Sequence, residues 1–107
     1  MHPLELIHPA DAPFRADYGH ERAAGVMQAM GHGLRLHILQ LLAAEGELGL
    51  TEFEQQLGID SSQLAGHLQI LQQAELVWCR RQPAGHCYML RGDEVITLLR
   101  SLKSLFG

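Results

Sequence analysis

Apolar residues recur at helical spacing in two segments of the first half of the chain. The first segment predicts a helix that Asp17 caps and that runs to Met30, where the Gly-His-Gly sequence of residues 31–33 ends it. The second predicts a helix over residues 34–44 with a broad apolar face, ended by Gly46. Two consecutive helices of this kind favour a mainly α fold.

A short helix, a glycine turn and a longer helix follow in the middle of the chain. Thr51 and Glu54 form a predicted capping box for the short helix, which ends before Gly58. Asp60 is predicted to cap the longer helix, which runs to Ala74. Leucines at spacings of four and three give this longer helix an inner face, formed by Leu64, Leu68 and Leu71. The pattern is typical of a helix-turn-helix, although any helical hairpin in a small bundle would also produce it.

The next segment predicts a β-hairpin. Residues that favour strands fill positions 77–81 and 86–90, and the turn between them contains Pro83 and Gly85. We expect a three-residue loop with a G1 bulge, in which Gln82 pairs with His86. A two-stranded β-hairpin directly after a candidate recognition helix is a wing. The sequence therefore predicts a winged helix-turn-helix.

The last predicted helix, capped by Asp93, is apolar over more than half of its surface. A monomer of this size cannot cover so much apolar area, so we expect a homodimer that pairs through the first and last helices. The alternative is a helix that packs only on its own core. The predicted interface residues are Leu98, Leu99, Leu102, Leu105 and Phe106.

The chain has 107 residues, which suit one domain, predicted over residues 16–107. Residues 1–15 show no periodicity and contain three prolines, so we expect a flexible N-terminal arm. This arm lacks the cationic and apolar regions of a signal peptide, and no apolar run approaches the ~18 residues of a membrane span. We therefore expect a cytoplasmic protein with no membrane partner.

The net charge of -4 is unevenly distributed along the chain. Residues 1–60 contain nine acidic residues and three arginines, a net charge of -6. Residues 61–107 contain five basic and three acidic residues, a net charge of +2. Since attraction to phosphate depends on the local field, this asymmetry permits DNA binding by the second half of the chain.

Several short segments, taken together in their order and spacing, are typical of one protein family. They are AMGHGLRLHIL at 29–39, GEL at 46–48, LGIDSSQL at 57–64 and AELV at 74–77, followed by the arginines of the wing. With them the chain resembles the ArsR/SmtB family of bacterial winged-helix repressors over residues ~17–107. The resemblance implies a dimeric repressor that leaves its operator when an inducer binds. The last helix is most similar to the branch that senses redox or sulfur species or has no known ligand.

The sensing sites that this resemblance implies are missing from the sequence. Gly49 and Thr51 stand where the family's Cys-x-Cys metal site would be, and residues 93–107 contain no histidine for a second metal site. Gln40 and Gly107 stand where the redox-sensing branch has cysteines. No metal or other cofactor is therefore predicted, and the inducer is unknown.

Double-stranded DNA is the predicted partner of the helix over residues 60–74, which would enter the major groove by its N-terminal turn. The wing arginines are expected at phosphates or the minor groove, and Arg35 is expected to add a backbone contact. The recognition helix contains no lysine or arginine, which favours modest affinity, and the contacts to phosphate make this affinity sensitive to salt. The alternative is that the polar residues of this helix form only a solvated surface and do not contact DNA. The predicted DNA-binding residues are Arg35, Ser61, Ser62, Gln63, Gly66, His67, Gln69, Arg80 and Arg81.

Cys79 and Cys87 lie in the two wing strands, and the expected register places Cys79 opposite Met89. Both thiols then face one side of the wing, diagonal to each other and about 7–8 Å apart, too far for a disulfide. A register shift that set them directly opposite would permit a disulfide or a thiophilic metal. The simpler interpretation is two small apolar residues under the wing.

Three functional alternatives follow from these patterns. The first is a homodimeric DNA-binding transcriptional regulator, a repressor. The second is a thiol- or metal-responsive sensor of the same fold that uses the wing cysteines, and the third is a winged-helix protein-interaction module without DNA binding. An enzyme is not expected, because the sequence shows no nucleophile–base–acid set, phosphate loop or open metal cluster.

Overall fold

A computed structural model of the chain describes residues 19–107, which form five helices and a small antiparallel sheet. The elements are α1 His20–Met30, α2 Gly33–Glu45, β1 Glu47–Gly49, α3 Leu50–Leu57, α4 Ser61–Gln73, β2 Val77–Gln82, β3 Gly85–Leu90 and α5 Asp93–Phe106. This order confirms the predicted winged helix-turn-helix. The arm predicted over residues 1–15 and the predicted Asp17 cap lie outside the described residues.

Side chains and glycines at the helix ends explain where α2 and α3 begin. The ring Nδ1 of His32 accepts a hydrogen bond from the Leu34 N–H at 3.2 Å and caps α2. The predicted Thr51 cap of α3 is wrong: α3 begins after Gly49, whose N–H donates to the Glu52 carboxylate at 2.9 Å. The chain enters α3 two residues earlier than predicted because β1 ends at Gly49 and leads directly into the helix.

The turn between α3 and α4 and the start of α4 follow the sequence prediction. Gly58 ends α3 in the left-handed region at φ 65°, which glycine adopts without steric cost. Asp60 caps α4, its carboxylate accepting from the Gln63 N–H at 2.8 Å and from the Ser62 hydroxyl at 3.0 Å. The predicted Asp60 cap is therefore confirmed.

The sheet has three strands in the order β1-β3-β2, one more than the sequence predicted. In β1, Leu48 pairs with Tyr88 of β3, and both side chains are buried. The predicted hairpin exists, but its register is wrong, because Gln82 pairs with Gly85 and not with His86. Gly85, at φ 127°, belongs to β3, so the loop holds two residues instead of three.

A single hydrophobic core lies between the helices and the inner face of the sheet. The leucines of α4 face it as predicted, with Leu64, Leu68 and Leu71 each at most 1% exposed. Burying a leucine completely contributes about 1.5–3 kcal/mol, so this row holds α4 firmly against the body of the domain. No helix within residues 19–107 combines the length and the apolar character that crossing a bilayer requires.

Candidate nucleic-acid interface

The N-terminal turn of α4 faces solvent. Ser61, Ser62 and Gln63 are exposed, and further along the same helix Gly66 and Gln69 are exposed as well. The opposite face of α4 is fixed in the core by its leucines. The structure thus brings five of the six predicted contact residues of this helix to one open surface, and the sixth, His67, is half-buried.

Asp60 brings a negative charge to this turn but directs it at its own helix. Two hydrogen bonds lower the pKa of the Asp60 carboxyl below its usual value: the larger effect comes from the Gln63 backbone N–H and the smaller from the Ser62 hydroxyl. The carboxylate is therefore ionised at neutral pH and offsets the positive N-terminal end of the helix. The Ser62 proton is used inside the turn, which leaves the hydroxyl oxygen as an acceptor.

Arg35 lies between α1 and α4. Its Nε donates to the Ala29 carbonyl at 2.6 Å, and its Nη2 donates to the Gln28 carbonyl at 3.4 Å. Its Nη1 lies 3.4 Å from Nδ1 of His67. The expected contact of this arginine with the DNA backbone stays a prediction; in the described structure its guanidinium binds carbonyls at the end of α1.

His67 stands where α4 meets the start of α2. Its ring centroid lies 4.7 Å from that of His32, with the ring planes inclined by 49°. Burial, followed by the nearby charges of His32 and Arg35, lowers the pKa of His67. The neutral imidazole is therefore the favoured form near neutral pH.

The wing presents its two arginines on opposite faces. Arg80 pairs with Cys87 on the outer face of the sheet, and its guanidinium forms an ion pair with Glu47 of β1. Arg81 pairs with His86 on the other face and is exposed. Because Glu47 neutralises part of the charge of Arg80, the two arginines differ in the field that they present to a polyanion.

The observed register also separates the two cysteines. Cys79 pairs with Tyr88 and Cys87 pairs with Arg80, and neighbouring pairs along a ribbon face opposite sides. The expectation that both thiols share one face is wrong, and so is the alternative in which a shift sets them opposite each other. A disulfide between them would require the hairpin to unpair.

The surroundings of Cys87 do not activate its thiol. Burial, followed by the charge of Glu47, raises the pKa of the Cys87 thiol, so the reactive thiolate is disfavoured. Cys79 lies beside Tyr88, where burial together with a hydrogen bond to Cys79 raises the pKa of the tyrosine to about 12. Within residues 19–107 no three histidine, cysteine or acidic side chains are grouped to hold a metal. The thiol- or metal-sensor alternative is therefore not favoured.

Apolar side chains remain exposed on α1 and α5. On α5, Leu98, Leu105 and Phe106 are 44%, 75% and 84% exposed, and on α1 Met27 is 73% exposed. Leu102 is half-buried against the core. The other predicted interface residue, Leu99, is only 8% exposed and packs in the core of its own chain, because it shares the inner face of α5 with Val95.

An ion-pair cluster at the end of α4 was not identified from the sequence. Glu75, at φ 61°, follows the helix in a backbone conformation that usually requires glycine. Its carboxylate accepts hydrogen bonds from Arg22 at 2.8 Å and from Arg91. Arg91 and, less strongly, Arg22 lower the pKa of Glu75. The cluster joins α1, the end of α4 and the entry to α5, through contacts too distant in sequence to be read locally.

Comparison with known proteins places this geometry in a family. No model of a known protein family matches the chain. The biofilm growth-associated repressor of Xylella fastidiosa is 30% identical over 83 residues, which span 78% of this chain and 72% of that protein. The crystal structure of NolR from Sinorhizobium fredii aligns with a TM-score of 0.76 and 31% identity, covering 90% of this chain and 97% of NolR.

A third protein supplies the family name. It is the homodimeric winged helix-turn-helix DNA-binding domain of Mb0332 from Mycobacterium bovis, described as a possible ArsR-family transcriptional regulator. It aligns with a TM-score of 0.75 and 27% identity over 88% of this chain and 89% of that domain. Matched proteins include an HTH-type transcriptional regulator of Methanocaldococcus jannaschii and the transcriptional repressor BigR of Xylella fastidiosa, which confirms the expectation that the chain is not an enzyme. The chain belongs to the ArsR family of winged helix-turn-helix transcriptional regulators.

Proposed function

We propose that the chain is a homodimeric DNA-binding repressor of transcription that lays α4 in the major groove of its operator. The observation that carries this proposal is the exposure of the first turn of α4, whose opposite face is fixed in the core. An α-helix fits the major groove, which is ~12 Å wide, and its N-terminal residues lie nearest to the base edges. Since its target is chromosomal DNA, we place the protein in the cytoplasm, with residues 16–107 as the working domain.

The exposed side chains of α4 divide into two chemical groups in the proposed complex. The amides of Gln63 and Gln69 offer a donor and an acceptor together, which match the N6 and N7 edge of adenine. Ser61 lies at the helix start, where hydroxyl groups commonly bond phosphate oxygens. The Ser62 hydroxyl donates its proton to Asp60, so it offers DNA only an acceptor, which suits the amino group of a base. We assign base reading to the glutamines and Ser62, and positioning to Ser61.

The wing supplies charge in the same complex. Arg80 and Arg81 are exposed, and we place them at phosphates or in the minor groove beside the helix. Because Glu47 forms an ion pair with Arg80, Arg81 contributes more to the long-range electrostatic attraction of DNA. Because this attraction displaces counterions from the DNA, we expect a modest affinity that weakens as salt concentration rises.

The dimer is proposed to form through α1 and α5. Met27 and Leu98 line one groove between these helices, so these two exposed apolar side chains share one surface, with charged side chains such as Arg91 and Asp93 beside them. Leu105 and Phe106 extend this surface to the end of α5. A second copy related by a twofold axis would cover the surface, with Leu102 at its edge. The homodimeric state of the Mb0332 domain supports a homodimer of this chain.

Selection of binding sites from random duplex DNA, combined with sedimentation of the free protein, tests the proposal. We expect a dimer in sedimentation and a selected site with two inverted half-sites whose centres lie one helical turn, ~34 Å, apart. A protein that binds all duplexes equally would contradict base reading. A sedimenting monomer would contradict the twofold assembly.

A further inference from the structure

The contact between Arg35 and His67 links the base-reading helix to the rest of the domain. His67 is half-buried, whereas its neighbours Gly66 and Gln69 are exposed. Its Nδ1 lies 3.4 Å from the Arg35 guanidinium, across 32 positions of sequence. This is a side-chain contact from another helix to the proposed recognition surface, and its chemistry restricts the form of the histidine ring.

The contact defines which nitrogen of His67 carries the proton. A guanidinium has five N–H donors and no acceptor, and it stays protonated in proteins. Nδ1 of His67 must therefore present its lone pair to Arg35, so the single ring proton lies on Nε2. The result is a neutral ring with an acceptor toward the protein and a donor on Nε2.

Arg35 is itself held in place. Its bonds to the carbonyls of Ala29 and Gln28 fasten the guanidinium to the end of α1. An arginine that satisfies two helix-end carbonyls and a histidine has its planar group oriented by three partners. Its charge is thus directed into the protein, away from the role of direct phosphate contact.

The charged and titratable groups around His67 support the same ring form. Arg35 contacts His67 from α2, and the ring of His32, the residue that caps α2, lies beside it. His32 uses its own Nδ1 to accept from the Leu34 N–H, so its proton also lies on Nε2. A neutral His67 ring avoids the repulsion that an imidazolium would meet next to the Arg35 guanidinium.

We infer that Arg35 is a positioning residue for DNA reading, which fixes His67 as a neutral Nε2–H donor to the N7 acceptor of a purine in the major groove. The inference rests on the proposed function, because it requires α4 to lie in that groove. A purine N7 suits this donor because it is a neutral acceptor displayed in the major groove by both adenine and guanine. A phosphate, in contrast, is bound most strongly by a charged donor.

The first test needs no DNA. Long-range 1H–15N NMR of the full chain distinguishes a protonated ring nitrogen from one with a free lone pair. We expect Nδ1 of His67 to be unprotonated and Nε2 protonated at neutral pH, and a mixture of the two forms in Arg35→Lys, whose ammonium cannot hold all three partners. A protonated Nδ1 in the wild-type chain would overturn the inference.

The second test is site selection with matched variants. Gln places its amide nitrogen near the position of Nε2 and Asn does not, so His67→Gln should keep part of the preference for a purine and His67→Asn should lose it. We expect His67→Asn and Arg35→Lys each to reduce discrimination about fivefold at the same single base pair of each half-site. The control His37→Gln alters a histidine of α2 outside the contact between Arg35 and His67 and should change nothing.

The outcomes separate this inference from the proposed function. If Arg35→Lys or His67→Asn weakens binding equally on all sequences, the affected side chain contacts phosphate and the inference is wrong. If the wild-type chain selects no sequence, the proposed function fails, while the NMR experiment still decides the ring form. If Arg35→Lys does not fold, the wild-type NMR spectrum and the variants His67→Gln and His67→Asn test the inference.

Discussion

The exposed turn of α4 and the β2–β3 wing differ in how they meet solvent. The turn of α4 presents neutral polar groups, and its one acid, Asp60, is bonded to its own helix. The wing presents two arginines, of which Arg80 forms an ion pair with Glu47. In the proposed complex, base reading and charge attraction are therefore assigned to different elements. A protein with a net charge of -4 can bind a polyanion in this way only if its few free cations are well placed.

Removing the support beneath α4 should have the largest effect. Leu68 is 1% exposed, and Leu68→Ala should lower the free energy of unfolding by about 2–5 kcal/mol because it leaves a cavity under the helix. Urea unfolding measures the change. Ile70→Ala, on the 39% exposed side of the same helix, is the control and should cost less than half as much. Equal losses would mean that α4 is not anchored by its inner face.

Separate substitutions in the two regions sharpen the comparison. Gln63→Ala should remove about 1–3 kcal/mol of discrimination at one base pair and leave the salt dependence of binding unchanged. Arg81→Ala should weaken binding to all sequences and reduce the slope of log K against log salt by about 0.9. Fluorescence anisotropy at several salt concentrations measures both. If the two variants behave alike, the division between the elements is wrong.

Gly66 tests how closely DNA approaches α4. Apart from the two chain neighbours and the backbone of the same helix, no atom of the described residues lies within 4 Å of the place where a Cβ would stand. Glycine inside a helix costs about 0.5–1 kcal/mol relative to alanine. Gly66→Ala should therefore stabilise the protein by that amount and weaken DNA binding. Gly25→Ala in α1, where the Cβ position is equally open, should give the same stabilisation with unchanged binding. Thermal unfolding and anisotropy measure the two properties.

The smallest effect expected is the pH dependence that Asp60 confers. Its pKa is lowered in the folded protein, so its contribution to stability is present above the unfolded value of about 3.9 and is lost as pH falls through the folded value. Asp60→Asn keeps a capping oxygen without the charge and should flatten the stability curve in this acidic range. Urea unfolding at a series of pH values would contradict the account if the two curves stayed parallel.

Local signals explain what the sequence analysis predicted correctly. The Asp60 cap depends on a side chain and a backbone N–H three residues apart, and the inner face of α4 depends on leucine spacing alone. Gly58 likewise marks the end of α3 by its own backbone preference. Helix caps, glycine turns and amphipathic faces are set by neighbouring residues, so a single sequence contains them.

The errors have a common physical origin in contacts between distant segments. The strand β1 is three residues long, too short to show an alternating pattern, and it exists because it pairs with β3. The hairpin turn around Pro83 is compatible with loops of two or three residues. Because the loop is one residue shorter than predicted, the strand register shifts by one residue and Cys87 lies on the opposite face of the wing. The partners of Arg35 and Glu75 come from other elements, so no local pattern could identify them.

Protection of guanine N7 from methylation on the selected duplex tests the central claim most directly, because N7 lies in the major groove. We predict two patches of protected guanines whose centres lie one helical turn apart. Protein bound at full occupancy without any N7 protection, or with protection in a single patch, would contradict the placement of α4 of both copies in the groove.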